Sequence, residues 1–258
     1  MLAISEIQVL NHRLDPTETT LHVLVEHGTN VPNDCQVRGR LNGPRCPFST
    51  TIEIAYPLRE RARGDVIAMS TVIPEPSLWD PESPFVYAGF VELTRENVVL
   101  ERVSFQHAIY WLQMTSKGLR LNGQPFVLRG KCIASIGDAD SLRYLRDRSI
   151  NWLISKESPT RETRNLAMKY GFFVSHEPAM SDQSINTIDH DPDILQESAR
   201  QNRRAANDAQ ANWFTSANPL SLIRDSKMEA IGGFKLVISD QIPANLPSDR
   251  SIIGWIDA

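Results

Sequence analysis

Three carboxylates in the second half of the chain stand where acid-base or nucleophilic chemistry is done. Glu157, Glu177 and Asp240 each follow a short apolar run within two residues. Two such groups side by side suit a reaction in which one protonates a leaving oxygen while the other attacks. Glu157 and Glu177 follow successive apolar runs, and neighbouring strands lie ~4.8 Å apart, so strand pairing would bring them close. Lys156 adjoins Glu157 and offers it a simple counter-charge.

His107 and His176 have no serine or cysteine arranged near them as a nucleophile, and each reads as a satisfied polar histidine. Asp189, His190, Asp191 and Asp193 read as a loop and helix cap rather than a metal site. No metal or cofactor is expected. Cys35, Cys46 and Cys132 are odd in number and irregular in spacing, which excludes a zinc pattern and a disulfide framework.

The composition, 41 % hydrophobic and 22 % charged over 258 residues, is that of a globular chain with room for two domains. A net charge of -4 with no Lys/Arg block argues against nucleic acid as the main partner. No apolar run reaches the ~18 residues of a membrane span, and no secretory leader is legible at the start. The expectation is a soluble, cytoplasmic protein.

The elements that would position these groups change period midway. Residues 4–10, 20–26, 35–41, 49–55, 65–73, 85–93 and 98–105 alternate apolar and polar, with turn residues between them. Seven such strands predict an immunoglobulin-like β-sandwich over residues 1–117. Leu119 and Leu121, the Asn122-Gly123 pair and the run Phe126-Val127-Leu128 predict a hairpin.

From residue 126 strands alternate with helices. Strands are expected at 126–134, 150–155, 172–175, 213–216 and 234–239, with a further one at 252–256. Asp138 or Asp140 is expected to cap the first helix, Ser158-Pro159 to open the second and Gly171 to close it. Longer helices are expected after Asp191-Pro192 and over 220–231. Strand-helix alternation predicts parallel βαβ units, the start of a TIM-type (β/α) barrel over residues 118–258. The stretch is shorter than a full barrel's ~250 residues, or roughly 200 at the least.

Two motifs frame the change of period. L-W-D-P-E-S-P-F-V-Y-A-G-F-V-E-L carries Trp79, Pro81, Pro84 and Tyr87, and L-N-G-Q-P-F-V-L-R-G runs from Leu121 to Gly130. Together they resemble the junction between the immunoglobulin-like domain and the catalytic barrel of family 2 glycoside hydrolases, which include β-galactosidases, β-glucuronidases and β-mannosidases. The resemblance implies a retaining mechanism with two carboxyl groups about 5–5.5 Å apart.

Carried over position by position, the resemblance implies loss of chemistry. The family's first strand ends G-x-N-R-H where this chain has Gly130-Lys131-Cys132-Ile133-Ala134. Its N-x-x-R is met by Asn151 but by Ile154 in place of arginine. G-L-x-V-x-x-E is kept as Gly171 to Glu177, whose glutamate is usually a supporting residue of the pocket. The W-S-x-G-N-E signature falls on Trp213 to Pro219, with Asn218 for its asparagine and Pro219 where the general acid stands.

The resemblance thus implies a non-catalytic, pseudoenzyme-like member acting as a carbohydrate-binding or assembly scaffold. Glu177, Asn218, Trp213 and Asn151 are its candidate substrate-binding residues, and Trp152 and Phe173 its candidate aromatic lining. An active β-glycosidase with Glu157 and Glu177 as relocated carboxylates is the first alternative, and a protein interaction module the second. An incomplete barrel leaves strand edges open, so self-association or a covering partner is expected.

Overall fold

The computed structural model describes residues 4–14, 17–28, 34–64, 66–115, 118–176, 235–238 and 252–257. Seven strands come first: β1 (Ile4–Leu14), β2 (Glu18–His27), β3 (Gln36–Arg45), β4 (Ile54–Ala62), β5 (Val66–Pro74), β6 (Val86–Arg95) and β7 (Val98–His107). They form one antiparallel ladder in the order β1-β2-β5-β4-β3-β6-β7. The alternation seen in the sequence sends one set of side chains inward. Leu21, Val23, Val25, Leu41, Leu58, Ile67, Met69, Val91 and Phe105 share a single core.

Strand β4 explains how one ladder encloses that core. Residues Ile54 to Leu58 pair with β3, and Arg59 to Ala62 pair with β5. The ladder folds over at this strand, and its outer strands approach each other on the far side. Ile4 N donates to Glu101 Oε2 at 2.9 Å, and His107 Nε2 meets Asn11 Oδ1 at 2.9 Å, so β1 and β7 nearly close the sheet.

The expected fourth strand, 49–55, lies one half-strand too early. Ile52 and Ile54 supply an alternating pattern but stand 86 % and 52 % exposed, whereas Tyr56 and Leu58 reach the core. Pro57 argues against a strand because it lacks a ladder donor. It is accommodated because this half of β4 has a neighbour on one side only.

A small antiparallel sheet follows, in the order β10-β9-β8, from β8 (Leu112–Thr115), β9 (Gly118–Leu121) and β10 (Gln124–Pro125). Asn122 and Gly123 both have positive φ, 51° and 79°, as the expected two-residue hairpin turn requires. The return strand is shorter than expected. After Phe126 N bonds to Leu119 O at 2.9 Å, the chain leaves the hairpin and Leu128 enters a different sheet.

That sheet comprises β11 (Leu128–Ile133), β12 (Trp152–Ser155), β13 (Phe173–His176), β14 (Lys235–Ile238) and β15 (Ile252–Asp257). Its order is β13-β12-β11-β15-β14, and every pairing is parallel. Helices α1 (Ala139–Asp147) and α2 (Arg161–Lys169) cross between the first three strands. Strands expected at 234–239 and 252–256 are present; those expected elements at 213–216, 220–231 and after residue 191 lie outside the described residues.

Asp138 caps α1, its carboxylate accepting from Ser141 N at 3.0 Å. Helix α2 begins two residues later than Ser158-Pro159 suggested, because Thr160 is the cap and accepts from Thr163 N. Gly171 follows its end at φ 90°. A Cβ there would lie 2.3 Å from Pro81 O, so glycine is required both by backbone conformation and by the approach of another segment.

Strands β11 to β13 of this sheet are covered on both faces. Leu153 and Phe172 pack under the helices with Leu142, Ala167 and Tyr170. Leu128, Trp152, Ile154 and Phe173 face the other way, against Trp79, Leu112, Leu119 and Leu121. Among the described residues no helix is long and apolar enough to cross a membrane.

Candidate functional site

The carboxyl ends of parallel strands are where a fold of this kind places its chemistry. Beyond β12, Lys156 N bonds to Ile133 O and Glu157 N to Ala134 O, both at 3.0 Å, so the β11 ladder continues to Glu157. Ser155 Oγ donates to Glu157 O at 2.7 Å and pins the turn. The Glu157 side chain itself is exposed, beside exposed Lys156. Glu177, Trp213, Asn218 and Asp240 lie outside the described residues. His176 ends β13, paired with Ser155.

Asn151 sits at the other end of β12. Its Oδ1 accepts from Arg129 N at 2.7 Å and its Nδ2 donates to Val127 O at 2.9 Å, while its own backbone bonds to Arg129 O and Phe173 N. Only 4 % exposed, it ties the entry of β11 to β12 and β13. Six residues of extended chain, about 20 Å, separate it from Glu157. One small-molecule pocket at the carboxyl ends would not contain both.

Between these ends the inner face of β11 to β13 is filled and uncharged. Gly130 leaves room for the Trp152 ring, since a Cβ there would lie 2.7 Å from Trp152 Cε3. Trp152 is fully buried, and its Nε1 donates to Ser175 Oγ at 2.7 Å. Phe173 is 4 % exposed and stacks edge-on against Trp79. Trp152 and Phe173 are therefore core side chains, the reading the sequence favours for them over pocket lining. Ile154 and Cys132 complete this face with no charge.

No metal-binding group emerges either. Among the described residues no three His, Cys, Asp or Glu side chains converge. His107 is held neutral at the β1–β7 seam, with burial pulling its pKa down to about 4.

The residues that signalled the sequence motifs meet instead at the joint between the antiparallel and parallel sheets. Trp79 N bonds to Ile109 O, and its Nε1 donates to Met168 O at the end of α2, both at 2.8 Å. Its ring meets Tyr110 at 5.1 Å and Phe173 at 4.8 Å. Asn122 Nδ2 donates to Trp79 O, and Asn122 Oδ1 accepts from Trp111 N, so the hairpin turn also holds the tryptophan. Tyr87 Oη accepts from Ser77 N at 3.0 Å, and burial raises its pKa to about 12.

Arg146 completes the joint, and sequence reasoning missed it. From α1 its guanidinium donates to Pro81 O, Glu82 O and Tyr170 O, and it lies 4.1 Å over the Phe48 ring. Burial lowers its pKa, with Cys46 and nearby acids acting the other way. An arginine in a helix gives no local sign of such a role, because all three acceptors are backbone carbonyls that any residue carries.

No family model matches the chain, and no curated protein is similar to it. Solved structures are. A β-glycosidase from Bacteroides vulgatus is 21 % identical, with 67 % of this chain and 23 % of that chain covered at a TM-score of 0.52. A Bifidobacterium dentium β-glucuronidase is 17 % identical over 67 % of this chain and 30 % of its own, also at 0.52. A family 2 glycosyl hydrolase from Bacteroides cellulosilyticus is 17 % identical over 65 % and 25 %, at 0.51. The likeness is one of fold, and this chain matches about a quarter of the length of those proteins.

Proposed function

We propose that the chain is a family 2 glycoside hydrolase-like scaffold that does not hydrolyse glycosides and serves carbohydrate binding or assembly. The observation that carries this reading is the use made of the carboxylates described at the carboxyl ends of β11 and β12: Asp138 caps α1 through Ser141 N, and Glu157 is exposed beside Lys156. A retaining glycosidase needs two carboxyl groups facing each other about 5–5.5 Å apart. Pro219, at the position of the family's general acid, adds support, since proline has no proton to give. On this reading the parallel sheet is part of a (β/α) barrel, and Glu177, Trp213 and Asn218 are the positions that would meet a bound sugar.

The test is hydrolysis of a panel of aryl β-glycosides by the whole chain, with Glu157→Gln and Glu177→Gln beside it. The expected result is no turnover in any sample. Turnover abolished by either substitution would replace the scaffold reading with a glycosidase using relocated carboxylates. Assembly has its own test: β13 and β14 are the outer strands of the described sheet, and a monomer across the micromolar range in sedimentation would remove self-association from the proposal.

A further inference from the structure

The outward face of β4-β3-β6-β7 carries a concentration of positive charge that its own carboxylates do not neutralise. Val37, Leu41, Tyr56, Leu58, Val91 and Phe105 point into the core, so the alternate residues Arg38, Arg40, Arg59, Arg61, Phe90 and Arg102 point out. The register sets them side by side: Arg40 opposes Phe90 and Pro57, and Glu92 opposes both Arg38 and Arg102. Glu92 is spent on Arg102, at 2.9 Å.

The other arginines take neutral partners. Arg38 donates to Gln36 Oε1 and Asn97 Oδ1, Arg61 donates to Ser70 Oγ, and Arg40 lies 5.6 Å over Phe90. Among the described residues, Arg38, Arg40, Arg59 and Arg61 have no carboxylate partner, Arg59 and Arg61 bordering this face from the half of β4 that pairs with β5. Elsewhere on the same sandwich the pattern is the reverse, with Arg45 on Glu53, Arg63 on Glu60 and Arg95 on Asp34, each within 2.7 Å. A chain of net charge -4 thus keeps one face strongly positive.

The structure assigns this face to binding an extended anionic polysaccharide, one bearing sulfate or carboxylate groups at regular spacing. Guanidinium groups bind such oxyanions through paired donors. The pleat sets Arg38 and Arg40 about 7 Å apart along β3, and Arg102 stands two strands, about 10 Å, from Arg38 across Glu92, a spacing suited to a linear polyanion. Single-stranded nucleic acid would want an open ring to stack on. The aromatic here, Phe90, is half-buried and roofed by the Arg102 guanidinium at 3.9 Å.

Calorimetric titration of the whole chain with dextran sulfate, at about 0.15 M salt, tests the assignment. Binding is expected, with uncharged dextran inert. R38Q/R40Q/R59Q should weaken it about tenfold or more, while R143Q/R148Q/R164Q, the same charge loss on the helices, should change it less than about twofold. Equal losses in the two variants would reduce the effect to net charge and overturn the site. So would an absence of binding, and tighter binding of polyglutamate or single-stranded DNA would overturn the polysaccharide. Circular dichroism checks both variants; if the first misfolds, R59Q alone should still weaken binding about threefold against R148Q.

Discussion

The indole N–H of Trp79 donates to the carbonyl of Met168 at 2.8 Å, across 89 residues of sequence and from one sheet system to the other. Trp79 belongs to the loop before β6, and Met168 to the last turn of α2. The bond therefore reports directly on whether the two parts hold together.

Trp79→Phe keeps an aromatic ring but removes the indole donor, leaving Met168 O with Gly171 N as its partner. A loss of about 1–2 kcal/mol is expected from the lost hydrogen bond and ring volume. Urea unfolding should show it as a lower midpoint, and a split into two transitions would indicate uncoupled halves. An unchanged midpoint would deny Trp79 its place in the joint.

Asn151→Ala should cost about 2–4 kcal/mol, because Arg129 N and Val127 O both lose a buried partner. Any sugar binding by the refolded variant should match the parent at equal folded fraction. A selective loss of sugar affinity with unchanged stability would return Asn151 to the binding residues.

His107 makes stability pH-dependent. Its folded-state pKa, about 4, lies below the 6.5 of an unperturbed imidazole, so the folded state favours the neutral ring. As pH falls through about 6.5 the unfolded chain takes up a proton that the folded chain refuses. The contribution is therefore complete above about pH 6.5, is lost progressively down to about pH 4, and totals about 3 kcal/mol. The difference between the parent and His107→Gln in denaturation midpoint should follow that window; a constant difference from pH 7 to pH 4 would show that His107 does not titrate at the seam.

Gly171→Ala should destabilise by more than about 2 kcal/mol, since φ is 90° and the new methyl would meet Pro81 O at 2.3 Å. Gly123→Ala is the control. It has φ 79° but open space around it, so only the conformational cost, about 1 kcal/mol, should appear in thermal unfolding. Equal losses would mean that Pro81 does not press on residue 171.

Legibility differed from one feature to the next. The Asn122-Gly123 turn was readable because two adjacent residues that tolerate positive φ carry the whole signal. The cap at Asp138 was readable for the same local reason. The fourth strand was misplaced because the alternation around Ile52 and Ile54 is as regular as that around Tyr56 and Leu58, and only the core distinguishes them. Of the candidate site residues, the structure places Asn151 and Glu157, at opposite ends of β12.

The sequence by itself determined the pleated alternation of six of the first seven strands, the period change near residue 126, the turn at Asn122 and the glycine at 171. Each depends on conformational preferences of a few neighbouring residues. Tertiary structure alone decided that β4 divides its pairing between β3 and β5, and that β15 returns to lie beside β11. It also decided that Arg146 grips three carbonyls and that Arg38 and Arg40 share a face without carboxylate partners. Those outcomes depend on which distant backbone groups and charges come within a few ångströms of one another, a distance that local preference does not encode.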